Sequence, residues 1–103
     1  MRHEVAVKGG GRAELPAYGM GDAEHQVEKE LRAAWPGARV RIVEVARTAP
    51  GERIVEEFAV RYRVSGVVEV DAESAAEARR AAMRALRERF GGTRYSRIVW
   101  DAG

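Results

Sequence analysis

This 103-residue chain has no cysteine, no asparagine and a single glutamine, Gln26. Without cysteine there is neither a disulfide framework nor thiolate chemistry, and the default compartment is the cytoplasm. No apolar run approaches the roughly 18 residues of a membrane span, so no membrane partner is expected. Met1-Arg2-His3-Glu4 does not lead into the apolar stretch of a secretory signal. Lysine is scarce too, with Lys8 and Lys29 against 16 arginines. Shedding heat-labile side chains while keeping many charges is a thermophile habit, although a GC-rich genome also favours arginine. The two histidines, His3 and His25, lie in separate segments. Nothing in their spacing to Glu4, Asp22 or Glu24 builds a metal site, and no metal or cofactor is expected. Glu14, Glu56 and Glu57 have no partner pattern for acid–base work, and Ser65, Ser74 and Ser96 assemble no nucleophile–base set. The sequence leans away from an enzyme.

What is present describes one globular domain over residues 1–103. Apolar residues make up 46% and charged residues 33%, the balance of a folded chain. The net charge of +2 is evenly spread: residues 1–51 carry 8 basic and 7 acidic groups, residues 52–103 carry 10 and 9. Neither half is a polycationic arm.

One pattern occurs twice. Asp22-Ala23-Glu24 opens an amphipathic helix that ends at Trp35-Pro36-Gly37, and Arg41-Ile42-Val43 follows in an extended run. Asp71-Ala72-Glu73 introduces a second helix ending at Phe90-Gly91-Gly92, and Arg97-Ile98-Val99 follows. In the first helix Asp22 is the expected N-cap, and the apolar stripe is Ala23, Val27, Leu31, Ala34 and Trp35. The second starts with Ser74-Ala75-Ala76-Glu77, a capping box, and its stripe is Ala75, Ala78, Ala82, Leu86 and Phe90. Counted from these caps the second helix is three residues longer, roughly one turn.

The extended segments complete the pattern. Residues 2–8 alternate as a strand does, Gly9-Gly10-Gly11 is expected to break it, and a second weak stretch covers Arg12 to Tyr18. Pro16 suits an edge or a bulge. Val40 to Arg47 is extended, Ala49-Pro50-Gly51-Glu52 reads as a tight turn, and a long strand runs from Ile54 to Val70. Its even positions, Phe58 to Val70, are the buried face, and Ser65-Gly66 marks a bulge or bend. Arg94 to Trp100 is the last strand. The order strand, helix, strand, strand, helix, strand is a duplicated split βαβ. It predicts an α+β, ferredoxin-like sandwich with two helices on one face of an antiparallel sheet and an extra N-terminal strand as the alternative.

Candidate binding residues follow from the sheet faces. If the even positions of the long strand pack inward, Arg61 and Arg63 point outward, joined by Arg39 and Arg41 of the second strand and by Tyr95 and Arg97 of the last. Arginines and an aromatic on a sheet resemble the surface on which RNA-recognition domains stack bases, although no Lys/Arg-Gly-Phe/Tyr-Gly/Ala-Phe signature occurs. The same face carries Ala59, Val67, Val43, Val45 and Val99, so the second strand reads as apolar on both sides. An uncovered edge of that kind calls for a partner, and a second copy of the chain is the simplest one. Gly9, Gly10 and Gly11 form one candidate ligand loop, a mobile one whose flanking cations Lys8 and Arg12 offer a phosphate or partner contact. Gly19 and Gly21 form the other, with helix capping as the commoner use of such glycines. The leading expectation is a non-catalytic module that self-associates through its sheet. The alternatives are contact with RNA or DNA through the arginines and a small enzyme with its site at a subunit interface.

Overall fold

The computed structural model describes residues 1–49 and 54–102. Its elements are β1 (Arg2–Ala17), α1 (Met20–Ala34), β2 (Arg39–Arg47), β3 (Glu56–Asp71), α2 (Ala75–Phe90) and β4 (Val99–Ala102). The strands form one antiparallel sheet in the order β2-β3-β1-β4. Among the described residues no helix is long and apolar enough to cross a membrane. Of the expected turn Ala49-Pro50-Gly51-Glu52, all but Ala49 lie outside the described residues.

The largest departure from expectation is β1. Gly9-Gly10-Gly11 does not break it: one 16-residue strand runs from Arg2 to Ala17 and pairs along its whole length with β3. The extra N-terminal strand is therefore absent among the described residues. Two of the glycines are explained by what packs on them. A Cβ on Gly9 would lie 2.6 Å from the side chains of Ile98 and Trp100, and one on Gly11 would lie 2.6 Å from the Tyr62 hydroxyl. Pro16 is tolerated for a different reason. Glu14 O and Pro16 O accept side-chain hydrogen bonds from Arg94 and Gln26, both at 3.4 Å. The even-numbered residues of β1 thus turn their backbone groups away from β3, on a side that β4 reaches only at Val7–Gly10. The N–H that Pro16 lacks falls on that open side, and no ladder bond is lost.

Both helices start as their first turns dictate, with one correction. Gly19, not Asp22, is the N-cap of α1; Asp22 is its third helical residue and accepts the N–H of Tyr18 at 3.0 Å. Ser74 caps α2 by accepting the N–H of Glu77 at 3.1 Å, while the Glu77 carboxylate accepts the N–H of Glu73 at 3.2 Å. Ala23, Val27, Leu31 and Trp35 are buried beneath α1, and Ala78, Ala82, Leu86 and Phe90 beneath α2. Of the remaining expected stripe members, Ala34 is half-buried and Ala75 is exposed.

Each α1 residue of the buried set lies 55 positions before its α2 counterpart. The same interval links Gly19 to Ser74, Asp22 to Glu77, and Gly37 to Gly92, two glycines with φ of 87° and 76°. The repeat is thus visible in the fold, but in a register six residues away from the Asp-Ala-Glu match. Asp71 ends β3 and is no counterpart of Asp22. The expected difference of three residues in helix length shrinks to one, since the helices have 15 and 16 residues.

The helices converge on the middle of the sheet with their C-terminal ends. Trp35 meets Trp100 edge-on, with centroids 5.9 Å apart at 69°, and Phe90 meets the same ring at 5.4 Å and 40°. Trp35 also lies over Gly66, where a Cβ would stand 2.6 Å from its ring. Ser65-Gly66 therefore makes room for an aromatic; its pairing with β1 is continuous, and no bulge occurs there. Because α1 and α2 cover the sheet largely in succession, the domain is elongated, with extents of 56 × 19 × 18 Å. The final strand is shorter than expected. Residues 91–97 form turns, held in part by Thr93, whose hydroxyl donates to Phe90 O at 2.6 Å and accepts the N–H of Tyr95 at 3.1 Å.

Candidate functional site

With the helices on one face, the other face of the sheet is open. Its central rows are read from the pairing. Arg39, Ser65, Lys8 and Asp101 lie side by side across the four strands, and Arg41, Arg63, Gly10 and Val99 form the next row. Glu44, Arg61 and Arg12 form the third. The members of these rows on β1, β2 and β3, Glu44 apart, line a shallow groove of about 720 Å³. A second hollow of about 600 Å³ shares Lys8, Arg39 and Ser65 and extends past Val67 to Trp35 and Pro36. Successive rows are about 7 Å apart, two residues along a strand.

Four of the expected binding residues, Arg39, Arg41, Arg61 and Arg63, are brought together here. Lys8 and Arg12, expected from the sequence to flank a mobile glycine loop, join them as strand residues. The glycines do not break β1, and as one strand it presents its even positions to this face. Gly10 is one of those positions and differs from its neighbours. A Cβ there would meet only Tyr62 O at 3.4 Å and the Arg63 chain at 3.9 Å, so packing does not require a glycine. Its missing side chain opens the floor of the groove, where a ligand can approach the backbone.

A bulge in β2 decides the electrostatics. Register shifts between Ile42 and Glu44, leaving Val43 as the extra residue, 46% exposed and lining the groove. Past the bulge the alternation reverses. Val45 therefore packs against the core instead of lying on the open face as expected, and Glu44 turns outward to pair with Arg61 at 3.1 Å. The expectation that β2 is apolar on both sides fails at Val45, while Val43 stays exposed on the open face, as do Val67 and Val99. Arg12 is likewise paired, with Glu14 at 2.8 Å. Among the described residues Lys8, Arg39, Arg41 and Arg63 have no ion-pair partner, although Asp101 lies opposite Lys8. Arg41 and Arg63 are direct cross-strand partners, and like charges so placed, roughly 5 Å apart at Cβ, destabilise a sheet.

The other candidates lie elsewhere. Tyr95 is not on the open face: it is 3% exposed, packs edge-on against Tyr62 at 5.5 Å, and donates from its hydroxyl to Glu30 Oε1 at 3.0 Å. Burial pushes the Tyr62 phenol up to about 12 and raises that of Tyr95 further, with help from the neighbouring Glu30 carboxylate. Arg97 is exposed in the turns before β4 and does not reach the groove. Gly9, Gly10 and Gly11 belong to a strand, so the first candidate loop is no loop. Gly19 and Gly21 sit at the start of α1, outside the groove. His3 lies in β1 and His25 in α1, and no three metal-ligating side chains gather among the described residues. The His3 Nε2 is buried without a hydrogen-bond partner.

Fold and face together define an α+β domain with a cluster of cations at the centre of its open sheet. Compared with protein-family models, curated proteins and solved structures, the chain finds no match.

Proposed function

We propose that this chain is a ferredoxin-like binding module whose open sheet face takes the phosphate backbone of nucleic acid. The strand order, with a helix in each of two split βαβ units, supports the fold assignment. One observation carries the function: Arg41 and Arg63 stand directly opposite each other, flanked by Lys8 and Arg39, without an ion-pair partner among the described residues and next to the bare backbone of Gly10. An arrangement that costs the sheet stability is offset by an anion placed between the guanidinium groups, which match phosphate oxygens in pairs. The polar side chains lining the groove are guanidinium, ammonium and hydroxyl groups. The outward positions of β1, β2 and β3 carry no aromatic ring and no amide, so stacking on an aromatic ring and amide readout of adenine have no residue to perform them. Contact is therefore chiefly electrostatic, made to the phosphate backbone. Self-association through the same face is disfavoured, because a two-fold interface would set this patch against itself.

Fluorescence anisotropy with a short DNA duplex tests the reading. If Lys8, Arg39, Arg41 and Arg63 each neutralise one phosphate, log K falls against log salt with a slope of about −3.6. The double variant Arg41→Glu/Arg63→Glu is expected to bind at least tenfold more weakly (about 1.4 kcal/mol) while keeping its circular dichroism. A folded double variant that binds as tightly as the parent sinks the proposal, as does absence of binding at low salt.

A further inference from the structure

The solvent side of α2 is as basic as the groove and lies on the opposite face of the domain. Arg79, Arg80, Arg84, Arg87 and Arg89 are all exposed, against Glu77 and Glu88 on the same helix. None of the five has an ion-pair partner among the described residues. Arg80, Arg84 and Arg87 follow one another at spacings of four and three, so they stack along one outward row. Like charges in that relation weaken a helix. The corresponding surface of α1 differs: four acids (Asp22, Glu24, Glu28 and Glu30) stand against Lys29 and Arg32.

We infer that the arginine row of α2 is a second phosphate-binding surface, so that one copy of the chain bridges two nucleic-acid segments. An anionic membrane would offer the same charges, but the apolar stripe of α2, Ala78, Ala82, Leu86 and Phe90, is committed to the core and has nothing to insert. The two basic surfaces are separated by the sheet and the helix layer, in a body whose short dimensions are 19 and 18 Å. Duplex DNA, with a persistence length of about 50 nm, cannot fold around so thin a body to touch both. Two separate segments can. The groove is the tighter site because its cations converge on a concave floor, whereas the helix presents them on a convex one. Bridging therefore rests on the sheet-face reading for its first strand and on α2 for its second.

The experiment mixes the protein with two duplexes carrying donor and acceptor dyes and reads energy transfer between them, beside anisotropy on one duplex alone. The parent protein is expected to bring the duplexes together at low salt. The variant Arg80→Gln/Arg84→Gln/Arg87→Gln should keep single-duplex binding within about twofold, a change of about 0.4 kcal/mol, and lose the transfer signal. Transfer that survives this triple substitution, as a dimer with one site per copy would give, overturns the inference. So does a parent protein that binds single duplexes without transfer, an outcome that leaves the sheet-face reading standing. If Arg41→Glu/Arg63→Glu leaves anisotropy unchanged and the glutamine variant abolishes it, the sheet-face reading falls instead.

Discussion

The two halves of this domain are alike where they pack and unlike where they face water. Ala23, Val27, Leu31 and Trp35 of α1 recur as Ala78, Ala82, Leu86 and Phe90 in α2, and both sets end on the ring of Trp100. Asp22 and Glu77 make the same bond to the N–H four residues earlier. Gly11 and Gly66, in equivalent places on β1 and β3, each leave room for an aromatic side chain, Tyr62 in one case and Trp35 in the other. Outside this shared frame the halves diverge. The exposed side of α1 is mainly acidic and that of α2 mainly basic. The strand after α1 has nine residues and a bulge, whereas the strand after α2 has four and follows a run of turns. Packing preserves the repeat; the surface charge does not follow it.

The sharpest challenge to this equivalence is to truncate its two anchors. Trp35→Ala and Phe90→Ala should each cost about 3–5 kcal/mol by chemical denaturation. Because both rings rest on Trp100, the double variant should lose measurably less than the sum of the single losses. Strict additivity would mean that the two helix ends are held independently. Next in size are the glycines under aromatic rings. Gly66→Ala and Gly11→Ala should each destabilise by about 1–3 kcal/mol through overpacking, whereas Gly10→Ala, with no such neighbour, should stay within about 0.5 kcal/mol.

The buried phenols belong to the second half alone and give it a pH limit. Tyr62, held up to about 12 by burial, and Tyr95, raised further, are neutral in the fold and ionise near 10 when unfolded. Their contribution is complete below pH 10 and is lost as pH rises through about 12. Tyrosinate absorbance and circular dichroism should therefore change together in that window, and the steepness should fall in Tyr62→Phe. Independent titration of both phenols with the fold intact would contradict the assignment of burial as the cause. The smallest effect concerns His3, which occupies the place on β1 that Phe58 occupies on β3, 55 residues on. Phe58 is 1% exposed, while the His3 Nε2 is buried and unpartnered. Replacing His3→Phe removes that orphan and should raise stability by about 1 kcal/mol, or roughly 4–8 °C in Tm. A fall in Tm would show that the two ends of the sheet are shaped differently.

Much of the fold was legible because it depends on periodicity. Both helical stripes, the inward even positions of β3 and the end of each helix follow from spacing and from local signals such as Ser74 and Gly37. The errors share one physical origin: a neighbour distant in sequence overrode a local signal. Three consecutive glycines end a strand unless rings from elsewhere need the space they leave. Asp22 looks like an N-cap until Gly19 takes that place and the carboxylate reaches back. Tyr95 looks like a strand residue facing outward until Thr93 folds the chain into turns and the phenol finds Glu30.

The site shows the same division. Arginine at alternate positions of β2 and β3 was enough to nominate Arg39, Arg41, Arg61 and Arg63. Lys8 and Arg12 stood out as cations flanking the glycines, but only a continuous β1 places them on the same face as those arginines. Which arginines lack an acidic partner was settled by one extra residue in β2, Val43, because it reverses the face presented by everything after it and sends Glu44 to Arg61. Sequence by itself determined the composition, the repeated apolar stripes and the order of elements, since these rest on local spacing and propensity. Tertiary structure alone decided the register of the repeat, the length of β1 and the charge left uncompensated on the open face. Each of those depends on which distant side chains meet across the sheet, and no local pattern encodes that meeting.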